Sequence, residues 1–188
     1  MFKFYRLFAI ILFLLSCRTD VPNQTVIVGD ASLSLSNGKL LYNEKPLTGS
    51  LKGYYQNGEL KSEVKYLNGK KEGVEEVYYN NGVLQTHRTY SKGVKIDVHR
   101  GWWPDGSSKF EYHFDKEGRY DGTVKEWYTN GQLLRDFNYT SGKEAGRQQM
   151  FRSNGAIRAN YEVINGERFG LIGLKKCYTI KKDSIKIY

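Results

Sequence analysis

The sequence predicts an all-β fold: an elongated, single-layer antiparallel meander of consecutive β-hairpins with a period of about 24 residues. Three observations predict it. Glycines recur on a lattice: Gly58, Gly82, Gly106, Gly131 and Gly155 at steps of 24, 24, 25 and 24 residues, and Gly69, Gly93, Gly118, Gly142 and Gly166 at 24, 25, 24 and 24. A third series, Gly49, Gly73, Asp97, Gly122, Gly146 and Gly170, keeps the same step, so fifteen of the 20 glycines are lattice positions. Self-similarity at a fixed period marks a repeat architecture. Second, the first series is preceded by Asn57, Asn81, Asp105, Asn130 and Asn154. Asn-Gly and Asp-Gly are strong hairpin signals and point to type I′ turns. Third, Leu60, Ser62, Val64 and Tyr66 alternate with Glu59, Lys61, Glu63 and Lys65, the pattern of a strand with one wet face.

Taken from the N-terminus, Lys3 and Arg6 precede the apolar run Leu7 to Leu15, which is too short to cross a bilayer and reads as a secretory signal over residues 1–16. Leu14-Leu15-Ser16-Cys17 resembles the bacterial lipobox, which implies cleavage before Cys17, lipidation of that cysteine, and a place in the cell envelope, periplasmic or surface-exposed. Residues 17–36 are polar and read as a tether from the membrane, with short strands at Thr25 to Val28 or Ser32 to Ser36.

The repeat array occupies 37–170. A half unit, in which Tyr42, Pro46 and Gly49 stand where Tyr66, Lys70 and Gly73 stand later, precedes five units at 50–73, 74–97, 98–122, 123–146 and 147–170. One residue is inserted in the third, near Asp115-Lys116-Glu117-Gly118. Between turns there is room for one strand and none for a helix with its connections. Residues 171–188 read as closing strands. From Glu167 onward they carry six Lys/Arg against two acids, which protects an open edge from aggregation, with contact to anionic lipid as the alternative.

Composition agrees. With 15 Tyr, 9 Phe, 3 Trp and only 3 Pro in 188 residues, the chain is not a disordered one. Two cysteines, Cys17 and Cys177, exclude a disulfide scaffold and a cysteine-based zinc site; Cys177 reads as an inert thiol. The net charge of +9 drops to +7 without Lys3 and Arg6, and export argues against nucleic acid as partner.

Motifs such as Tyr54-Tyr55-Gln56-Asn57-Gly58-Glu59-Leu60 and Tyr66-Leu67-Asn68-Gly69-Lys70-Lys71-Glu72-Gly73 resemble the MORN-repeat variant of bacterial proteins, among them the YwqK-like antitoxins, over about Gly38 to Gly170. The resemblance implies a hairpin meander that binds rather than catalyses, with a protein partner, and phospholipid binding in some relatives. In an exported chain an antitoxin role would be immunity to a toxin arriving at the envelope. The third unit departs from the pattern at Gly101-Trp102-Trp103-Pro104-Asp105-Gly106, which looks a little like the Gly-Trp repeats of cell-wall-binding modules and raises glycan or peptidoglycan as the alternative ligand.

One strand of each unit carries paired aromatics: Tyr54-Tyr55, Tyr78-Tyr79, Trp102-Trp103, Trp127-Tyr128, then Phe151-Arg152. Neighbours on a strand face opposite ways, so an aromatic ladder is expected on each side. Tyr78, Tyr79, Trp102, Trp103, Trp127 and Tyr128 are the candidate binding residues, as exposed rings that bury large area at small entropic cost. No nucleophile elbow, phosphate loop or metal spacing is present, so no catalytic residue, cofactor or metal is expected. His87, His99 and His113 read as solvated strand residues.

Overall fold

The computed structural model describes residues 24–173; the signal segment, Cys17, Cys177 and the closing segment from 174 lie outside the described residues. The main sheet is thirteen-stranded. It contains β1 (Thr25–Ile27), β5 (Gly49–Tyr54), β6 (Leu60–Leu67), β7 (Lys70–Tyr78), β8 (Leu84–Ser91), β9 (Val94–Trp102), β10 (Ser108–Phe114), β11 (Tyr120–Trp127), β12 (Leu133–Thr140), the short β13 (Lys143–Glu144), β14 (Gly146–Phe151), β15 (Ile157–Ile164) and β16 (Glu167–Leu171). From β5 onward each strand pairs antiparallel with the next along the sheet, β12 pairing with both the short β13 and β14, so the hairpin meander is as expected. One pairing differs: β1 lies parallel to β5, Val26 opposite Leu51. The stretch read as tether is therefore folded from its eighth residue on, because Val26 buries its side chain to 2% exposure against the first unit.

The half unit's β3 (Lys39–Tyr42) and β4 (Lys45–Pro46) form a separate three-stranded sheet with β2 (Leu33–Ser36), which comes from the stretch read as tether. Backbone bonds join it to the array, Leu40 N–H to the Gly69 carbonyl and Gly69 N–H to the Leu47 carbonyl. The same bond recurs one unit on, from Gly93 N–H to the Lys71 carbonyl, and again from Gly142 to Tyr120. A side chain seconds it each time: Thr48, Glu72 and Asp121 accept from the backbone N–H of Asn68, Lys92 and Ser141. The half unit is thus a true member of the stack.

The two turn series differ from one another. Positive φ at both central residues, the mark of type I′, occurs at Asn68-Gly69, Lys92-Gly93, Ser141-Gly142 and Asn165-Gly166. The Asn57-Gly58 series is not type I′. There only the glycine has positive φ, the Tyr55 carbonyl accepts from Gly58 N–H, and Tyr55 N–H donates to the Glu59 carbonyl. This is a type I turn followed by a left-handed glycine bulge. The Asn57 side-chain oxygen accepts from Glu59 N–H at 3.1 Å, and this bond two residues ahead holds Asn57 on the right-handed side. The inserted residue of the third unit converts Asp115-Lys116-Glu117-Gly118 to that same geometry, Gly118 N–H donating to the Asp115 carbonyl.

At Gly73, Asp97 and Gly122 the third lattice series marks a bulge in the strand that follows the second turn, whereas β16 with Gly170 pairs in unbroken register. Register slips between Val64–Glu75 and Tyr66–Lys71, between His87–Arg100 and Thr89–Ile96, and between Tyr112–Val124 and Phe114–Tyr120. Bulges bend a strand and increase its twist. The position two residues beyond the lattice residue is buried in every one of these units: Glu75, His99, Val124 and Gln148 are 7, 2, 1 and 0% exposed. Gln148 shows how a polar residue survives there. Its oxygen accepts from Asn138 N–H and its nitrogen donates to the Ala145 carbonyl and to the Asn138 carbonyl, which also accepts from Ala145 N–H, so the side chain supplies hydrogen bonds to the backbone at the bulge.

Candidate functional site

Strand alternation and the register divide the array into two unlike faces. One carries the cross-strand row Lys52, Glu63, Glu76, His87, Arg100, Glu111. Polar contacts follow it, the ion pairs Lys52–Glu63 at 3.4 Å and Arg100–Glu111 at 2.9 Å, with His87 Nδ1 3.2 Å from Glu76 Oε1 between them. The other face carries rings in contact from strand to strand: Tyr90–His99 at 5.5 Å, His99–Phe114 at 4.6 Å, Phe114–Tyr120 at 4.9 Å and Tyr120–Tyr139 at 5.2 Å. A second run, Phe110–Tyr112 stacked at 4.6 Å and Tyr112–Tyr120 at 5.8 Å, joins it. The ladder expected on both sides therefore runs along one. The first members of the pairs, Tyr78, Trp102 and Trp127, sit two strands apart, about 9–10 Å, with no ring opposite them in the strand between: Leu84 pairs with Tyr78 and Ser108 with Trp102.

All six predicted residues, Tyr78, Tyr79, Trp102, Trp103, Trp127 and Tyr128, are half-buried, not exposed. Tyr79 and Tyr128 are spent on bracing. Tyr55 Oη donates to the Tyr78 carbonyl at 2.7 Å, Tyr79 Oη to the Trp102 carbonyl at 3.0 Å, and Tyr128 Oη to the Phe151 carbonyl at 3.2 Å, each reaching the next unit. The turn asparagines run beside them: Asn57 Nδ2 donates to Asn80 Oδ1, Asn81 Nδ2 to the Pro104 carbonyl and Asn130 Nδ2 to the Ser153 carbonyl. Tyr78 Oη instead donates to Glu76 at 2.7 Å on the charged face, and that carboxylate pushes the phenol up to about 12.

The brace fails at one junction. In the third unit Trp103 replaces the tyrosine and Asp105 the asparagine: the carboxylate has no proton to donate, and the indole N–H, though a donor, makes no bond to the next unit. Trp103 Nε1 is buried with no hydrogen-bond partner. Where a tyrosine would reach across lies a groove of about 260 Å³ lined by Trp103, Lys109, Phe110, Glu126, Trp127 and Leu134, with Tyr112 beside Phe110. Lys109 Nζ sits 4.4 Å over the Trp103 ring. Glu126 accepts from Tyr112 Oη and pairs with Arg135. Sequence reasoning found Trp103 and Trp127 but missed Lys109, Phe110, Tyr112, Glu126 and Leu134. The available signal was the paired departure from Tyr and Asn in one unit.

Of the histidines, His87 and His113 stay partly exposed on the charged face, but His99 is not solvated. His99 is buried, Nε2 lying 2.9 Å from the Thr89 carbonyl, and burial holds its imidazole below the ordinary value. His113 Nε2 lies 3.0 Å from Glu111 Oε1, two residues away on the same strand face. Glu75, beneath the ring row, is a buried carboxylate. Burial pushes it up, but bonds from Lys71 and Tyr90 and the nearby Arg88 outweigh that and hold it below the ordinary range. Tyr90 beside it is pushed up to about 12, by burial first and then by Glu75.

Three segments, 47–68, 71–92 and 120–141, match the MORN repeat variant family. They cover the first, second and fourth hairpin repeats, while the third, with Trp102-Trp103-Pro104-Asp105, is not among them. No curated protein matches the chain. A solved structure of alternansucrase in complex with isomaltononaose is similar at 16% identity over 74% of this chain, with a TM-score of 0.17. The chain spans 16% of the length of that enzyme chain, and a likeness at that score carries no argument. The repeats make the array a repeat-based binding scaffold.

Proposed function

We propose that the protein is a non-catalytic lipoprotein of the bacterial cell envelope, held by a lipid on Cys17, whose repeat sheet binds a protein partner on its aromatic face in a scaffolding or immunity role. The observation that carries this reading is the run of rings Phe114, Tyr120 and Tyr139, half-buried on one face and packed at its start on the buried His99 and Tyr90. In a globular domain such rings would be covered by a second layer. Here Tyr112, Phe114, Tyr120 and Tyr139 stay half-buried, each braced by neighbours. Rigid, pre-packed aromatic surface with little entropy left to lose is what protein interfaces use at their centres. The opposite face, with its charges largely paired across strands, offers no such anchor.

The test places a photo-crosslinking residue at Tyr120 or Tyr139, and in a control at Lys125 on the charged face, in the full chain in cells. A discrete adduct from the first two positions and none from the third supports the reading. Equal labelling from both faces, or none, rejects it. Metabolic labelling with a fatty acid separately checks the anchor: Cys17→Ala is expected to abolish it, and persistence of label refutes the lipoprotein assignment.

A further inference from the structure

We propose that the groove at the junction of the third and fourth units binds one pyranose ring of a glycan, a site separate from the protein-binding role of the aromatic face. The groove exists because the brace is missing there: Trp103 and Asp105 stand where other units place Tyr and Asn, and the space a tyrosine hydroxyl would cross is left open.

Its wall is built in advance. Gly101 faces Phe110, and a Cβ at that glycine would lie 2.1 Å from the ring, so the absence of a side chain lets Phe110 lie across the strand and stack on Tyr112 at an interplanar angle of 19°. Polar groups of both kinds stand at the same place. Glu126 offers carboxylate oxygens, oriented by Tyr112 and Arg135. Lys109 offers an ammonium that has no acid partner among the described residues, and the buried Trp103 Nε1 and Arg135 Nε lack acceptors.

A sugar ring matches this set: an apolar C–H face for the rings, and hydroxyls that both donate to Glu126 and accept from Lys109. An aliphatic or aromatic peptide side chain would satisfy neither polar group while taking both out of water, which is costly. A peptide strand has no backbone to pair with, because β9, β10, β11 and β12 are hydrogen-bonded on both sides. At about 260 Å³ the groove lies just under the usual range for small-molecule sites, ~300–1,000 Å³, and admits one ring, not a chain.

The experiment titrates the full chain with chitotetraose and with maltotetraose, following saturation-transfer NMR and tryptophan fluorescence, and with N-acetyltryptophanamide as the side-chain mimic. One of the two saccharides is expected to saturate with a Kd of about 1 mM. The double substitution Trp103→Tyr, Asp105→Asn restores the consensus brace and fills the groove. It is expected to weaken binding at least tenfold without lowering the unfolding midpoint, and Lys109→Ala is expected to weaken it several-fold. Absence of saturable transfer from both saccharides at about 10 mM, undiminished binding by the braced variant, or saturation by the tryptophan amide alone would each overturn the assignment.

Discussion

Gly101→Ala isolates what the ring wall contributes to the array. The glycine is off the lattice and its φ is not in the left-handed region, so a methyl group there meets no backbone penalty. Its difficulty is steric. The new Cβ would lie 2.1, 2.5 and 2.6 Å from Cε1, Cδ1 and Cζ of Phe110. To regain an ordinary contact of about 3.5 Å the ring must retreat by about 1.4 Å. That movement breaks its stack on Tyr112, whose hydroxyl is itself committed to Glu126. Overpacking of this kind costs about 1–3 kcal/mol and the lost stacking about 0.5–1.5 kcal/mol. Restricting the unfolded chain returns about 0.4–1 kcal/mol. The expected net loss is about 1–3 kcal/mol, read from the midpoint and slope of urea unfolding. Repeating the substitution in a Phe110→Ala background removes the obstacle, and the penalty is expected to vanish there. A loss below about 0.5 kcal/mol, the size of an ordinary surface substitution, or an equal loss with and without Phe110, would refute the close-packing argument.

Other outcomes follow from the same contacts. Tyr79→Phe deletes the hydroxyl that reaches the Trp102 carbonyl and is expected to cost about 0.5–1.5 kcal/mol by urea unfolding, whereas Tyr54→Phe, on an exposed ring with no such bond among the described residues, is expected to cost nothing measurable. Gln148→Leu leaves the Asn138 N–H without its partner, while the Asn138 carbonyl keeps the Ala145 N–H, and is expected to cost about 1–3 kcal/mol, with faster amide exchange at Asn138 as its local signature. For His99, burial lowers the folded-state pKa below the ordinary 6.5, so the unfolded chain takes up the proton first as pH falls. Its contribution is complete above pH 6.5 and is lost as pH falls from there through the folded pKa. Unfolding midpoints are expected to drop between pH 7.5 and 5.5, and to drop less in His99→Gln; equal slopes would reject a buried neutral imidazole.

The repeat, its period, the hairpin in each unit and the membership of the half unit are all legible in the chain, because turns demand glycine at fixed places and strands demand alternation. Local chemistry was enough for each of these. Turn type was less legible: Asn57-Gly58 and Asn68-Gly69 are the same dipeptide, and only the fourth loop position and the side-chain bond from Asn57 to Glu59 separate a bulged type I turn from type I′. The face and burial of each ring were not legible at all. Pairing of Tyr78 with Tyr79 or Trp102 with Trp103 indicates opposite faces, but not that a hydroxyl on one of them reaches a carbonyl 23 residues away. His99 reads as solvated by composition, and is buried because a bulge two residues earlier bends its strand into the ring row.

By itself, then, the sequence determined that the molecule is an open sheet of stacked hairpins, since period and turn chemistry are properties of residues near one another in the chain. Which aromatics brace the stack, and that the junction at Trp103 is left unbraced with Lys109 and Glu126 on either side, was decided by the tertiary structure alone. The physical reason is that those contacts join residues a full repeat apart, where register, bulge and side-chain reach, none of them local, set what touches what.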